Sequence, residues 1–249
     1  MAKRKAEETD DTENKQHKPA EIAITETTFE FLNDLEKNND KGWMTLNKQT
    51  YNEVKENFIK FTQYQLTDLQ ISDSSLSMLD AKDCIFRINR DVRFSTVKAP
   101  YKNHFACAFA QGGKKSGKAS YYLHIEPNGK SMVGAGMYLP PPAILDKIRK
   151  AIANNSELLK ESLVTEGFKT SFKVENGLDL LLQTDDKLKT VPKGYPKDHA
   201  DIELLRLKSF AVGRTFSDEE VLKPEFKDTV AKIFQSVIPF VQVLNSYLE

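Results

Sequence analysis

The spacing of the apolar residues changes twice along the chain and limits the folds that it can adopt. Between residues 28 and 61 apolar side chains recur every three or four residues, as on one face of a helix. Between residues 84 and 138 they alternate with polar residues, as in strands with one buried face. After the prolines at 140–142 helical spacing returns at residues 144–152 and again at residues 226–248. Helices, then antiparallel strands, then helices predict a single α+β domain and not a doubly wound fold.

Alternating segments and turn signals outline the predicted sheet. The strand segments are residues 86–94, 104–111, 120–126 and 131–138. Pro127-Asn128-Gly129 predicts a tight hairpin turn between the last two. We therefore expect an antiparallel sheet of about four or more strands, flanked by N-terminal and C-terminal helices. Residues 171–182 predict a further hairpin around Asn176-Gly177, residues 188–214 a loop with a short helix, and Pro239 a kink in the closing helix.

The N-terminal residues differ from the rest in composition. Residues 1–22 are polar and charged without apolar periodicity, so we expect a disordered tail before a domain at 23–249. Lys3-Arg4-Lys5 fits a nuclear-import signal and equally a solubilising tail. This N-terminus is too polar for a signal peptide, and no apolar run reaches the roughly 20 residues that span a bilayer. We expect an intracellular protein without a membrane partner, cytoplasmic and, if the basic cluster directs import, also nuclear.

Cysteines and histidines give no metal signature. Cys84 and Cys107 are the two cysteines of the chain, which argues against a disulfide framework and fits a reducing compartment. Their spacing and that of the four histidines match no metal-ligand motif, so we expect no metal and no cofactor. A site assembled by the fold from His104, His124 and His199 stays open as a weaker alternative.

The glycine-rich segment at 112–118 resembles part of a phosphate-binding P-loop. Ala119 stands where that motif needs Ser or Thr, and a strand pattern follows where it needs a helix. We therefore reject nucleotide triphosphate hydrolysis and interpret the segment as a hairpin loop bearing lysines.

The charges are unevenly distributed, although 36 basic residues balance 36 acidic ones. Residues 87–130 contain nine basic residues and two acidic residues, Asp91 and Glu126. A stretch with this excess of positive charge attracts anions through its local field, whatever the net charge of the chain. It also coincides with the predicted sheet.

Period two places polar side chains together on one face of each strand. The first strand would present Arg87, Asn89 and Asp91, and the third would present Tyr122, His124 and Glu126. On the fourth strand Gly134 and Gly136 share a face with Met132 and Tyr138, leaving room for a ligand or for an approaching backbone.

These faces predict a basic cleft on the sheet for a small ligand bearing phosphate or carboxylate. Arginine binds such groups through two parallel hydrogen bonds, which makes Arg87, Arg90 and Arg93 the expected anion contacts. Lys102 and Lys114 would add peripheral charge. Asn89, Tyr122 and His124 would orient the ligand.

Three alternatives remain open, and no sequence feature fixes an oligomeric state. The first is a hydrolase or transferase using His124 with Asp91 or Glu126 as acid and base. The second is a nucleic-acid-binding module, since Arg90, Arg93, Lys98 and Lys102 alternate with Phe94, Tyr101 and Phe105, of which Tyr101 alone is free to stack on a base. The third is an interaction module in which the Arg–Asp pairs are structural.

Several motifs resemble a conserved hypothetical protein family of bacteria, fungi and other lower eukaryotes that is catalogued as a domain of unknown function. They are FRINRDVRFS at 86–95, PYK at 100–102, YYLHIEP at 121–127, GAGMY at 134–138 and KGY at 193–195. The resemblance spans roughly residues 28–248 and departs at Trp43-Met44, where the family favours Trp-Phe. It implies a single intracellular domain and carries no activity, substrate or catalytic residue.

Overall fold

A four-stranded antiparallel sheet lies at the centre of the fold. The computed structural model describes residues 22–93, 96, 98–183 and 186–249. The strands are β1 (Phe105–Ala110), β2 (Ser120–Ile125), β3 (Ser131–Met137) and β4 (Phe210–Phe216), in the order β1-β2-β3-β4. Asn128 and Gly129 both adopt positive φ angles in the turn between β2 and β3, as tight hairpin turns require.

Helices surround this sheet along the rest of the described chain. They are α1 (Glu26–Lys37), α2 (Lys41–Leu46), α3 (Lys48–Ser72), a 3-10 turn (Ser74–Leu76), α4 (Ala81–Cys84), α5 (Pro142–Asn154), α6 (Glu157–Leu163), α7 (Glu166–Phe172), α8 (Gly177–Leu182), α9 (Ile202–Leu205), α10 (Asp218–Val221), α11 (Phe226–Ser236) and α12 (Ile238–Ser246). The protein is thus an α+β domain, as predicted. None of the described helices is long and apolar enough to cross a membrane.

One sheet face forms the hydrophobic core, and α3 and α11 pack against it. Phe58 of α3 stacks on Phe105 with 5.4 Å between ring centroids. Phe234 of α11 meets Phe109 and Tyr121 edge-on at 5.9 and 5.8 Å. Because side chains alternate along a strand, residues 120, 122 and 124 of β2 lie on the opposite face, which we call the outer face.

The three later strand predictions are confirmed, but the first is wrong. After α4 ends at Cys84, residues 85–93 form isolated bridges, Ile85 with Cys107 and Asn89 with Tyr101, and no strand. The chain instead turns back on itself, because the Arg90 amide donates to the Pro100 carbonyl and the Lys102 amide donates to the Ile88 carbonyl. Its alternating residues therefore do not share one face of the sheet.

The segment after α6 also differs from the prediction. Residues 171–182 contain the end of α7 and all of α8, and no hairpin. The Asn176 side chain accepts a hydrogen bond from the Leu178 amide, so the Asn-Gly pair begins a helix. Residues 188–214 contain the predicted short helix, α9, and also most of β4, which was not expected.

Two further predictions concern the C-terminal helices and the N-terminal tail. The closing helical region is divided between α11 and α12 next to Pro239, which confirms the predicted interruption. The predicted tail, with Lys3-Arg4-Lys5, lies outside the described residues except for Ile22.

Candidate functional site

A chain of hydrogen bonds runs along the outer face of β2 and past its end. The Tyr122 hydroxyl lies 3.2 Å from His124 Nδ1, and His124 Nε2 lies 2.8 Å from Glu126 Oε2. Because the carboxylate accepts, Nε2 carries the imidazole proton and Nδ1 accepts from the hydroxyl. We call these three residues the β2 relay, and their common face is the one that period two predicted.

Glu126, the end of the relay, is nearly buried and fully engaged. Asn103 Nδ2 donates to Oε1 at 3.1 Å, and the Lys130 ammonium lies 3.2 Å from the same oxygen. Burial acts to raise the pKa of Glu126, but hydrogen bonds from His124 and Lys130 outweigh it and lower the pKa. The carboxylate is therefore ionised at neutral pH and fixes the orientation of His124.

His104 joins the relay from the neighbouring strand. Its ring centroid lies 4.2 Å from that of His124, and its Nδ1 lies 3.7 Å from Glu126 Oε2. Burial, and after it the repulsion that two protonated imidazoles would exert on each other, lower its pKa to about 4. Lys102 and Arg90 act in the same direction, and Glu126 opposes them. His104 is therefore neutral at pH 7.

Two cations, Arg90 and Lys102, act on His104, and a third, Arg87, acts on Lys102. We call these three residues the cationic cluster. Burial, Arg87 and Arg90 together lower the pKa of Lys102. Arg90 Nε is buried and has no hydrogen-bond partner among the described residues. Within the same residues no carboxylate forms an ion pair with any member of the cluster. The nearby acid Asp91 is itself paired with Arg93, and Arg87 contributes only the smaller part of the lowering of its pKa.

The other predicted site residues lie outside this cluster or serve the backbone. Arg93 pairs with Asp91 through two hydrogen bonds of 3.0 and 2.7 Å, and both side chains are exposed. No described hydrogen bond joins Asp91 to His124. The Lys114 ammonium donates to the carbonyls of Asp83 and Ile85, which ties the 112–118 loop to the end of α4.

Residues 85–89 also line a second concavity, away from the β2 relay. Arg87 and Asn89 border a cavity of about 570 Å³ together with Tyr51 and Lys55 of α3. Of the aromatic residues considered for base stacking, Phe105 is buried, Tyr101 packs against the core and Phe94 lies outside the described residues. This part of the surface therefore presents no described row of free aromatic rings.

A cavity of about 490 Å³ opens on the outer face next to Tyr122, and we call it the apolar slot. Its floor is formed by Gly134, Gly136 and Ala211, and Met132 and Tyr138 complete the lining beside Tyr122. Gly134 and Gly136 allow the β4 backbone to pack closely against β3. A Cβ on Gly136 would collide with the Phe210 carbonyl, and one on Gly134 would lie 2.8 Å from the Val212 carbonyl. The space that the sequence predicted is thus used by the β4 backbone, and a concave surface remains above it.

His104, His124 and Glu126 form a set of donors that could hold a metal. One ligand atom from each lies within 4.8 Å of the others. Two imidazoles and a carboxylate suit zinc or iron by their chemistry. Two features oppose the binding of a metal cation. Arg90 and Lys102 place positive charge near His104, and both ring nitrogens of His124 already form hydrogen bonds. His199 is not part of this set, since its Nδ1 accepts from the Asp201 amide.

Sequence reasoning paired His104 with His124 only in the metal-site alternative that included His199, and did not place it beside Glu126 in the ligand site. His104 directly precedes β1, whose Ala106 pairs with His124 of β2 in the antiparallel register. A hairpin between residues 104–111 and 120–126 would have indicated that the two histidines lie close together, since their strands are adjacent.

Comparison with known proteins gives a family and nothing more specific. Neither the curated proteins nor the solved structures contain a match to this chain. A family described as conserved hypothetical protein (DUF2461) matches residues 27–243, which include the whole sheet, the β2 relay and the cationic cluster. The chain therefore belongs to the conserved hypothetical protein family DUF2461.

Proposed function

We propose that the protein binds a small phosphate- or carboxylate-bearing ligand at the cationic cluster, beside the β2 relay. The observation that carries the proposal is that Arg87, Arg90 and Lys102 lie close together and that none of them forms an ion pair with a described carboxylate. Burial, and after it repulsion from Arg87 and Arg90, lower the pKa of Lys102, and such repulsion costs stability unless an anion relieves it.

The groups around the cluster suit an anion. The Nε–H of Arg90 is closed to solvent and has no partner among the described residues, so it gains an acceptor only where an oxyanion enters beside the guanidinium. Neutral His104 can donate or accept a hydrogen bond there without adding charge. The nearest carboxylate of the relay, Glu126, is held by Asn103 and Lys130 and so does not neutralise the cluster.

Inorganic phosphate at low ionic strength tests the proposal, with Lys102→Met as the decisive variant. Removing one of three repelling cations should raise the melting temperature of the ligand-free protein and weaken phosphate binding about tenfold or more in calorimetry. Lys115→Met is the matched control, because Lys115 is exposed in the 112–118 loop. A variant that is less stable and binds phosphate as well as the wild type would show that Lys102 is a structural cation.

The β2 relay favours acid–base catalysis as a second candidate function. The Tyr122 oxygen could take a proton from a bound ligand while the phenolic proton passes to His124 Nδ1, and Glu126 would stabilise the resulting imidazolium. Asp91, the other carboxylate considered for this role, is paired with Arg93.

Release of 4-nitrophenolate from 4-nitrophenyl phosphate and 4-nitrophenyl acetate tests this candidate. Catalysis by the relay requires that the wild type hydrolyse one of them and that His124→Gln lose about 100-fold or more in rate. Equal rates in both proteins would exclude the relay as the source of activity on these esters.

A further inference from the structure

The apolar slot lies against the same tyrosine that begins the β2 relay. Tyr122 lines the slot with its ring and donates its hydroxyl to His124. Tyr138, which also lines the slot, is 78 % exposed, which is unusual for a side chain of this size. Tyr122 therefore belongs both to the β2 relay and to the lining of the apolar slot.

From this junction we infer that the slot receives the aromatic body of the anion whose charged group binds the cationic cluster. The ligand class is an aryl or heteroaryl phosphate or carboxylate. The inference rests on the proposed function, because the cluster supplies the charge complementarity that selects an anion.

One aromatic ring links the cluster to the slot. The Lys102 ammonium lies 5.5 Å from the centroid of the Phe86 ring, and the Phe86 ring lies 6.4 Å from that of Tyr122. Phe86 does not line the slot, so the charged group of a ligand whose ring covers Tyr122 has to extend past the Phe86 ring to approach Lys102.

The lining of the slot suits a flat ring. The floor of glycine and alanine presents backbone and single methyl groups, so a planar group can approach closely. Tyr122 and Tyr138 offer ring faces or edges, and the Met132 thioether makes favourable contacts with aromatic groups. The volume of about 490 Å³ falls within the range of small-molecule sites.

Calorimetric titration with 1-naphthyl phosphate, inorganic phosphate and 1-naphthol tests the inference. We expect 1-naphthyl phosphate to bind at least about tenfold more tightly than inorganic phosphate, since only the former buries apolar surface in the slot. Ala211→Phe, which fills the slot, should abolish this difference and leave the affinity for inorganic phosphate within about twofold. Ser120→Phe fills the same cavity from β2 and replaces Ala211→Phe if that variant does not fold.

Thr215→Phe is the matched control, because Thr215 is exposed on β4 and outside the slot lining; it should bind all three compounds like the wild type. Equal affinities for 1-naphthyl phosphate and inorganic phosphate, with phosphate binding still lost in Lys102→Met, would refute the slot alone. No binding of inorganic phosphate, with 1-naphthol and 1-naphthyl phosphate equally tight, would instead refute the anion site and with it this ligand class.

Discussion

Protonation of His104 should make the stability of the protein depend on pH below neutrality. Its pKa falls from 6.5 to about 4 in the folded state. Because the pKa is lower in the folded than in the unfolded state, the unfolded state binds the proton first as the pH falls. The contribution of neutral His104 is therefore complete above about pH 6.5 and is lost progressively between about pH 6.5 and pH 4.

The size of this effect follows from the pKa difference and the exposure of the side chain. The pKa falls from 6.5 to about 4, and at about 1.4 kcal/mol for each unit of pKa difference the free energy of unfolding would fall by at most about 3.5 kcal/mol. The His104 side chain is 22 % exposed, so solvent screening reduces this bound. We expect His104→Gln to remove about 1–2 kcal/mol of the pH dependence, because glutamine does not titrate.

Urea denaturation of the wild type and His104→Gln at about pH 7.5 and about pH 4.5 measures this difference. The quantity compared is the loss of unfolding free energy between the two pH values, which removes any uniform effect of the substitution. The reasoning is refuted if His104→Gln and the wild type lose equal stability on acidification.

Four further outcomes test other parts of the structure. Inorganic phosphate should move the pKa of His104 upward, seen in its imidazole proton shifts, because it neutralises Arg90 and Lys102 nearby. Gly136→Ala should cost about 3 kcal/mol or more in chemical denaturation, and Gly129→Ala only about 1–2, since both glycines have positive φ but only Gly136 is crowded. Tyr121→Phe should cost about 1–3 kcal/mol, because it removes the 2.8 Å hydrogen bond to Asp73, whose side chain is buried. Cys107 should react with a thiol reagent only after unfolding, because it is buried and its pKa is raised to about 12.

The β2 relay could be predicted because it depends only on local geometry. Tyr122, His124 and Glu126 follow one another at intervals of two, and a strand places such residues on one face whatever its partners are. The same reasoning failed for residues 85–93, since a strand also needs a continuous partner and this segment finds single bridges at Ile85 and Asn89. Alternation alone does not supply the hydrogen bonds of a ladder.

Long-range contacts account for most of what the sequence did not predict. β4 pairs with β3 although the helices α5 to α9 separate the two strands along the chain. No pattern in the local sequence of either strand identifies the other as its partner. The nine basic residues of 87–130 were visible as a cluster in sequence. The sequence did not show which of these residues come together in the fold. The hydrogen bond between the Lys102 amide and the Ile88 carbonyl brings the segments of Arg87, Arg90 and Lys102 together, whereas Arg93 pairs locally with Asp91.

The sheet also explains why the candidate site lies on the outer face. On the core face, β1 and β2 carry Phe105, Phe109 and Tyr121, which fill the space under α3 and α11. On the outer face, the register places Ala106 beside His124 and Gly134 beside Tyr122. Because these neighbours are small, the side chains of the relay project beyond the surrounding surface of the sheet. The β4 backbone lies so close to Gly134 and Gly136 that neither position has room for a side chain. The alternation that builds the core from one set of residues therefore leaves the other set to form the β2 relay and the apolar slot on the outer face, and Arg90 and Lys102 lie near His104 beside the relay.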